Sequence, residues 1–210
     1  MKTLMSILYV TLNLITCAKG NQYEEAMSDA VEKLNQSGNI HEFQDAANTF
    51  ERISLNEPTK WLPLYYAAYS YIVISYQEQE MSKKDPYLDK AQGFLDKAFK
   101  VAPEESELYA LQAFLYPSRM IIDPMTRGME YIGKLNQALD KAIQLNPENP
   151  RSYYLRGIIL LNMPEAMGGG AAVAKPLFQK AKEKYENFVP ESPLSPNWGK
   201  EQNDAELNKL

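Results

Sequence analysis

Three stretches of this chain place small or apolar residues at spacings of four and then three, and each closes on a proline. AANTFERISLNEP ends at Pro58, AQGFLDKAFKVAP at Pro103 and LNQALDKAIQLNP at Pro147. A fourth, AKPLFQKAKEKYE, keeps the pattern through Ala181 but lacks the closing Pro. The patterned sets are Ala46/Phe50/Ile53, Ala91/Leu95/Ala98, Leu135/Leu139/Ala142 and Ala174/Phe178/Ala181. Such spacing puts each set on one face of a helix. The proline then ends the helix, since it lacks an N–H and restricts the residue before it.

The three prolines stand 45 and 44 residues apart. Six residues after each, a second helical pattern begins: Leu64–Ala67/Ala68–Tyr71, Tyr109–Ala113–Tyr116 and Tyr153–Gly157–Leu160. Small residues at the contact positions let a partner helix approach closely. The pattern therefore predicts a repeated pair of helices. No run alternates with period two, so strands are not expected. Helices are predicted near 22–36, 40–55, 60–79, 86–101, 105–118, 127–145, 149–162 and 172–187. Pro63 and Pro176 are placed near first turns, where proline is tolerated. Pro86, Pro117, Pro124 and Pro164 are placed at helix ends or in loops. Three insertions, QEQEMSKKDPYLD, IIDPMTRG and MPEAMGGGAAV, are read as loops inside the units.

The residues that carry this pattern resemble the tetratricopeptide repeat (TPR) framework, with its small and large residues in fixed phase and its closing Pro. The resemblance runs from about residue 25 to 187, with a period stretched by about ten. It implies an all-α, TPR-like α-solenoid of about four antiparallel helix pairs. The stretch NPRSYYLRGIILLNMPEAMGGG, with AKPLFQKAKEKYENFVPESPLSPNWGK after it, is similar to small exported TPR proteins of Bacteroidetes-type bacteria. That group brings no established activity. A weaker likeness to TPR accessory subunits of tripartite transporters implies a small-molecule role.

The two ends differ from the repeats. MKTLMSILYVTLNLITCAKG has one positive charge at Lys2, then an uncharged apolar run, then small residues at Ala18 and Gly20. That is the layout of a secretory signal peptide over residues 1–20, with cleavage before Asn21. It predicts a periplasmic or secreted protein, whose only membrane contact is this segment. Lipidation at Cys17 is the alternative, against a poor lipobox. The repeat domain is read as 21–187. Residues 188–210 are read as a docked tail and short cap, because 188–199, FVPESPLSPNWG, holds three Pro yet keeps Phe188, Leu194 and Trp198 as apolar anchors.

Composition narrows the chemistry. Of 210 residues, 27 are acidic and 22 basic, a net charge of −5 that argues against nucleic acid. There is one His and one Cys. His41 alone can neither build a metal site nor serve an evident nucleophile. No catalytic residue, metal or cofactor is assigned, and the chain is not read as an enzyme.

The aromatic residues are more informative. Fourteen Tyr are present, five of them between 65 and 76. In a TPR stack the first helix of each pair lines the concave face. Framework phase then puts Tyr65 and Tyr69 in the groove, with Ala110 and Phe114 from the next unit, Tyr154 and Ile158 from the last, and Arg151 at the rim. Tyr and Arg are common binding anchors. The leading expectation is a scaffold that binds a protein or peptide partner in this groove. The alternative is a small-molecule-binding accessory protein of a periplasmic transport system, with an anion site near Arg119, Arg127 and the Gly168–Gly169–Gly170 loop. The tail is also a candidate internal occupant of the groove.

Overall fold

The computed structural model describes residues 22–210. The predicted leader and Cys17 lie outside the described residues. Helix α1 spans residues 22–36. It is followed by α2 (Ile40–Asn56), α3 (Leu62–Gln77), α4 (Met81–Val101), α5 (Ser106–Ile122), α6 (Pro124–Leu145), α7 (Pro150–Asn162), a short 3-10 turn (Glu165–Met167), α8 (Ala171–Asn187) and α9 (Lys200–Lys209). The first eight helices form four antiparallel pairs in a TPR-like stack, as the repeat pattern predicts. No strand occurs among the described residues.

The repeat ends have a common local cause. Helices α2, α4 and α6 each stop two residues before their proline. The residue after each helix donates its N–H back to a framework carbonyl, that of Ile53, Ala98 or Ala142, at 2.9 Å. A turn follows, with Lys60 N–H donating to Glu57 O, Glu105 to Ala102 O and Asn149 to Asn146 O. The residue six after the proline closes the unit. Tyr109 donates to Pro103 O and Tyr153 to Pro147 O, both at 2.9 Å. Leu64 holds that place in the first unit and is buried instead.

The predicted sets are buried except for Ile53, which is half-buried, and Ala47 joins them. Ala47, Phe50, Ala91, Leu95, Ala98, Leu139, Ala142, Ala174, Phe178 and Ala181 are all fully buried. Gly157 is required where α7 meets α8: a Cβ there would lie 2.7 Å from the Phe178 ring. Besides packing on their own partners, α3 touches α5 and α5 touches α7. The first helices of the pairs thus form the inner layer and face the tail.

The insertions depart from the expectation. Only the last is a loop; the first two lengthen helices. Pro86 and Pro117 lie inside α4 and α5, and Pro176 is the sixth residue of α8, inside the helix rather than at its first turn. Proline in a helix interior removes a hydrogen bond and crowds the previous turn. Tertiary contacts offset that cost at the start of α4. Lys84 is buried, and its ammonium donates to Ser75 O at 2.6 Å and Glu78 O at 2.5 Å, among the last carbonyls of α3. Cations at that end also suit the helix dipole. Between α5 and α6 the break shrinks to Asp123, whose carboxylate caps α6 by accepting from Thr126 N–H. Pro124 follows at the first helical position.

Candidate functional site

The tail runs back across the inner layer as an extended chain. Its three prolines offer no N–H, so the backbone arrives there mainly with acceptors to satisfy. The inner helices and α8 supply the donors. Tyr66 Oη donates to Leu194 O at 2.8 Å. Arg151 Nη2 donates to Pro196 O at 2.5 Å and Arg151 Nη1 to Trp198 O at 3.4 Å. Tyr185 Oη donates to Trp198 O at 3.3 Å. Gly199 then turns the chain into α9 with φ +101°, a left-handed value that favours glycine.

Arg151 is 0% exposed rather than at a rim. Its Nε donates to Glu107 Oε2 at 2.7 Å. Burial pushes the guanidinium pKa down, but the nearby Glu107 carboxylate more than offsets this, and the group stays cationic. The two residues stand at the same phase of adjacent repeats, four after Pro103 and four after Pro147. The Phe188 and Trp198 rings face the same guanidinium, with centroids at 5.0 and 5.7 Å.

The aromatic residues form one continuous stack. Trp198 lies 5.5 Å from Tyr69 and 5.2 Å from Phe114, and Phe114 lies 5.1 Å from Tyr76. The planes of these neighbours differ by only 25–32°. Trp198 Nε1 donates to Tyr65 Oη at 2.8 Å. Burial raises the Tyr65 phenol well above its usual range and pushes Tyr69 and Tyr154 up to about 12. All three are neutral hydroxyls at physiological pH.

Of the residues predicted to line a groove, Tyr65, Tyr69, Phe114, Arg151 and Tyr154 gather around Trp198, while no contact among the described residues joins Ile158 to them, and the face is not an open groove. Tyr65 and Ala110 are fully buried and Arg151 is sealed beneath the tail. Tyr69, Phe114, Tyr154 and Ile158 keep partial exposure. The expectation of an exposed Tyr65 and a rim Arg151 is corrected: the tail covers both, with Arg151 donating to the Pro196 and Trp198 carbonyls and Tyr65 accepting from the Trp198 indole. Sequence reasoning missed Glu107 and Tyr66. A signal for Glu107 was present, since an acid and a base one repeat apart fall on adjacent inner helices.

The second candidate site does not assemble as an anion pocket. Arg119 donates to Asp85 and to Asp89, each at 2.6 Å, and Arg127 grips both oxygens of Asp85 at 2.9 Å. Their charge is already answered by carboxylates of α4. In the glycine loop, the Gly168, Gly169 and Gly170 N–H groups donate to Glu165 O, Pro164 O and Leu160 O. A phosphate cradle needs those groups free. Here they close a corner, with φ +84° at Gly168 and +101° at Gly170. No group of three or more His, Cys, Asp or Glu that could hold a metal occurs among the described residues, and no described helix is long and apolar enough to cross a membrane.

Comparison with known proteins places this fold. The family model of regulator of microtubule dynamics proteins 1–3 matches residues 26–186, and the chain belongs to that family. No curated protein sequence matches it. Among solved structures, the HusA haemophore of Porphyromonas gingivalis is 29% identical, with a TM-score of 0.80, over 88% of this chain and 90% of that one. A thermophilic TPR protein of Thermus thermophilus is 15% identical, with a TM-score of 0.41, over 89% of this chain and 97% of that one. The latter is too distant to argue from.

Proposed function

We propose that this member of the family is an exported, non-enzymatic capture protein for haem or a closely related flat tetrapyrrole. One observation carries the reading: the likeness to a haemophore extends over about nine-tenths of both chains. The geometry supports it. A stack of aromatic rings lies on the inner face with Tyr69 and Trp198 partly open, and flat aromatic ligands pack well on such rings. The predicted leader agrees with a protein that works outside the cytoplasm. Titration of the purified protein with haemin tests the reading. A saturable change in the Soret band, reaching its end point near one equivalent, is expected. A Soret spectrum unchanged from haemin in buffer would count decisively against it.

A second reading, capture of a protein or peptide, has its own support. The inner face already holds an extended segment through its carbonyls, using Tyr66 and Arg151. A peptide of the tail sequence 188–199 added in trans to a chain truncated after residue 187 tests this. Restored melting temperature is expected, and a truncated chain indifferent to the peptide would refute it.

A further inference from the structure

The capture reading leaves open where a ligand sits, and the inner face contains one cavity suited to it. This cavity of about 490 Å³ lies between the α1–α2 edge and the start of α9. That volume falls within the range of small-molecule sites. Its apolar wall is mostly aromatic, made by Phe43, Tyr69 and Trp198 together with Leu34. Tyr69 and Trp198 are consecutive rings of the stack that continues through Phe114 to Tyr76. A further flat ring system laid against them extends an existing offset stack.

The hydroxyl of Tyr69 is the second observation. Its neighbours on this face have protein partners: Tyr65 accepts from Trp198, Tyr66 donates to Leu194 O, and Tyr76 donates to Phe114 O at 2.9 Å. Tyr69 Oη makes no hydrogen bond to another described residue, and its half-buried side chain lines the cavity, so the hydroxyl is available to a ligand there. The third observation is charge. Lys200 lines the same cavity, is exposed, and makes no ion pair among the described residues, although Glu201 stands beside it.

We propose that this cavity binds a planar aromatic carboxylate, stacked on Tyr69 and Trp198, hydrogen-bonded by the Tyr69 hydroxyl and with its carboxylate toward Lys200. The site rests on the tetrapyrrole reading above and names the surface that performs it. Iron is not needed for any of these contacts, so metal-free protoporphyrin IX should bind about as well as haemin.

The test is affinity for haemin and for protoporphyrin IX, measured on the purified protein and three variants. Asn35→Trp places a bulky side chain at the exposed lip of the cavity and leaves the stack intact. Lys200→Glu reverses the charge. Met125→Trp, at a position 96% exposed on α6, is the control. Each variant is first shown to melt as the parent does. At least tenfold weaker binding by Asn35→Trp, about fivefold by Lys200→Glu, and no loss by Met125→Trp is expected for both probes. Parental affinity in both cavity variants would overturn the site while leaving the capture reading intact. No binding by the parent itself would remove both. Binding of haemin with none of protoporphyrin IX would overturn the stacking site in favour of iron ligation.

Discussion

The indole of Trp198 donates its N–H to the hydroxyl of Tyr65 at 2.8 Å, across 133 residues of sequence. This bond joins the tail to the second repeat unit and closes the inner face. The tail is therefore part of the fold, and its removal should be felt throughout. Trp198→Ala empties a partly buried aromatic site between Tyr69 and Phe114 and should cost about 3 kcal/mol, read as a lower urea midpoint with little change in slope. Tyr65→Phe keeps the ring but leaves the indole N–H unpaired, and should cost about 1–2 kcal/mol in the same assay. A wild-type midpoint in Trp198→Ala would mean that the tail is not docked in solution.

The helix pairs were legible because their cause is local. Small residues at Ala46, Ala91 and Ala142, and a proline after α2, α4 and α6, are read directly from spacing. The closure of the inner face was not legible in the same way. Framework phase puts Tyr65, Tyr69, Phe114 and Tyr154 on the inner helices, but phase describes an isolated stack. Whether a distant segment covers them depends on how many donors the face presents to how many proline-freed carbonyls, and those are counted only once the partners are known. The lengths of α4 and α5 were missed for a similar reason. Pro86 and Pro117 argue locally for breaks, and non-local bonds from Lys84 and Arg119 override them.

The Arg151–Glu107 pair makes a sharper prediction. Both groups are buried, so removing one strands the other as an unpaired charge. Glu107→Leu alone should cost about 3–5 kcal/mol. It should also loosen the tail, since Arg151 holds the Pro196 carbonyl. The double change Glu107→Leu with Arg151→Met should recover a large part of the loss, because neither charge is then stranded. Chemical denaturation of the three chains checks this. Strict additivity of the single changes would show that the pair is not coupled.

Gly157 tests the close approach of α7 to α8. An added methyl group would press on Phe178, whose Cε1 and Cδ1 atoms lie 2.7 and 2.9 Å from the position it would occupy. The intrinsic preference of alanine for helices opposes this by about 1 kcal/mol. Overpacking should still win, with Gly157→Ala less stable by about 1–2 kcal/mol. Combination with Phe178→Leu should leave less than the sum of the two single losses, as the smaller side chain makes room. A stabilised Gly157→Ala would show that the two helices sit farther apart than this contact implies.

Asp85 supplies a pH dependence. Hydrogen bonds from Arg127 and Arg119 hold its carboxyl below the usual carboxylate range, against a smaller opposing push from burial. The ionised form is therefore favoured by folding. Its stabilisation is complete above the unfolded value of about 3.9 and is lost as pH falls through the depressed folded value. Asp85→Asn removes that contribution at neutral pH and leaves Arg119 and Arg127 facing each other without their shared counterion. With the side chain about 29% exposed, solvent screening limits the effect, and about 1–2 kcal/mol is expected near pH 7. Melting curves of parent and variant should differ by a constant amount from about pH 7 to 5 and begin to converge only below about pH 4, as pH falls toward the depressed folded value. A gap that stays constant through the acid range would mean that the Asp85 carboxylate does not carry the link between α4 and the α5–α6 turn.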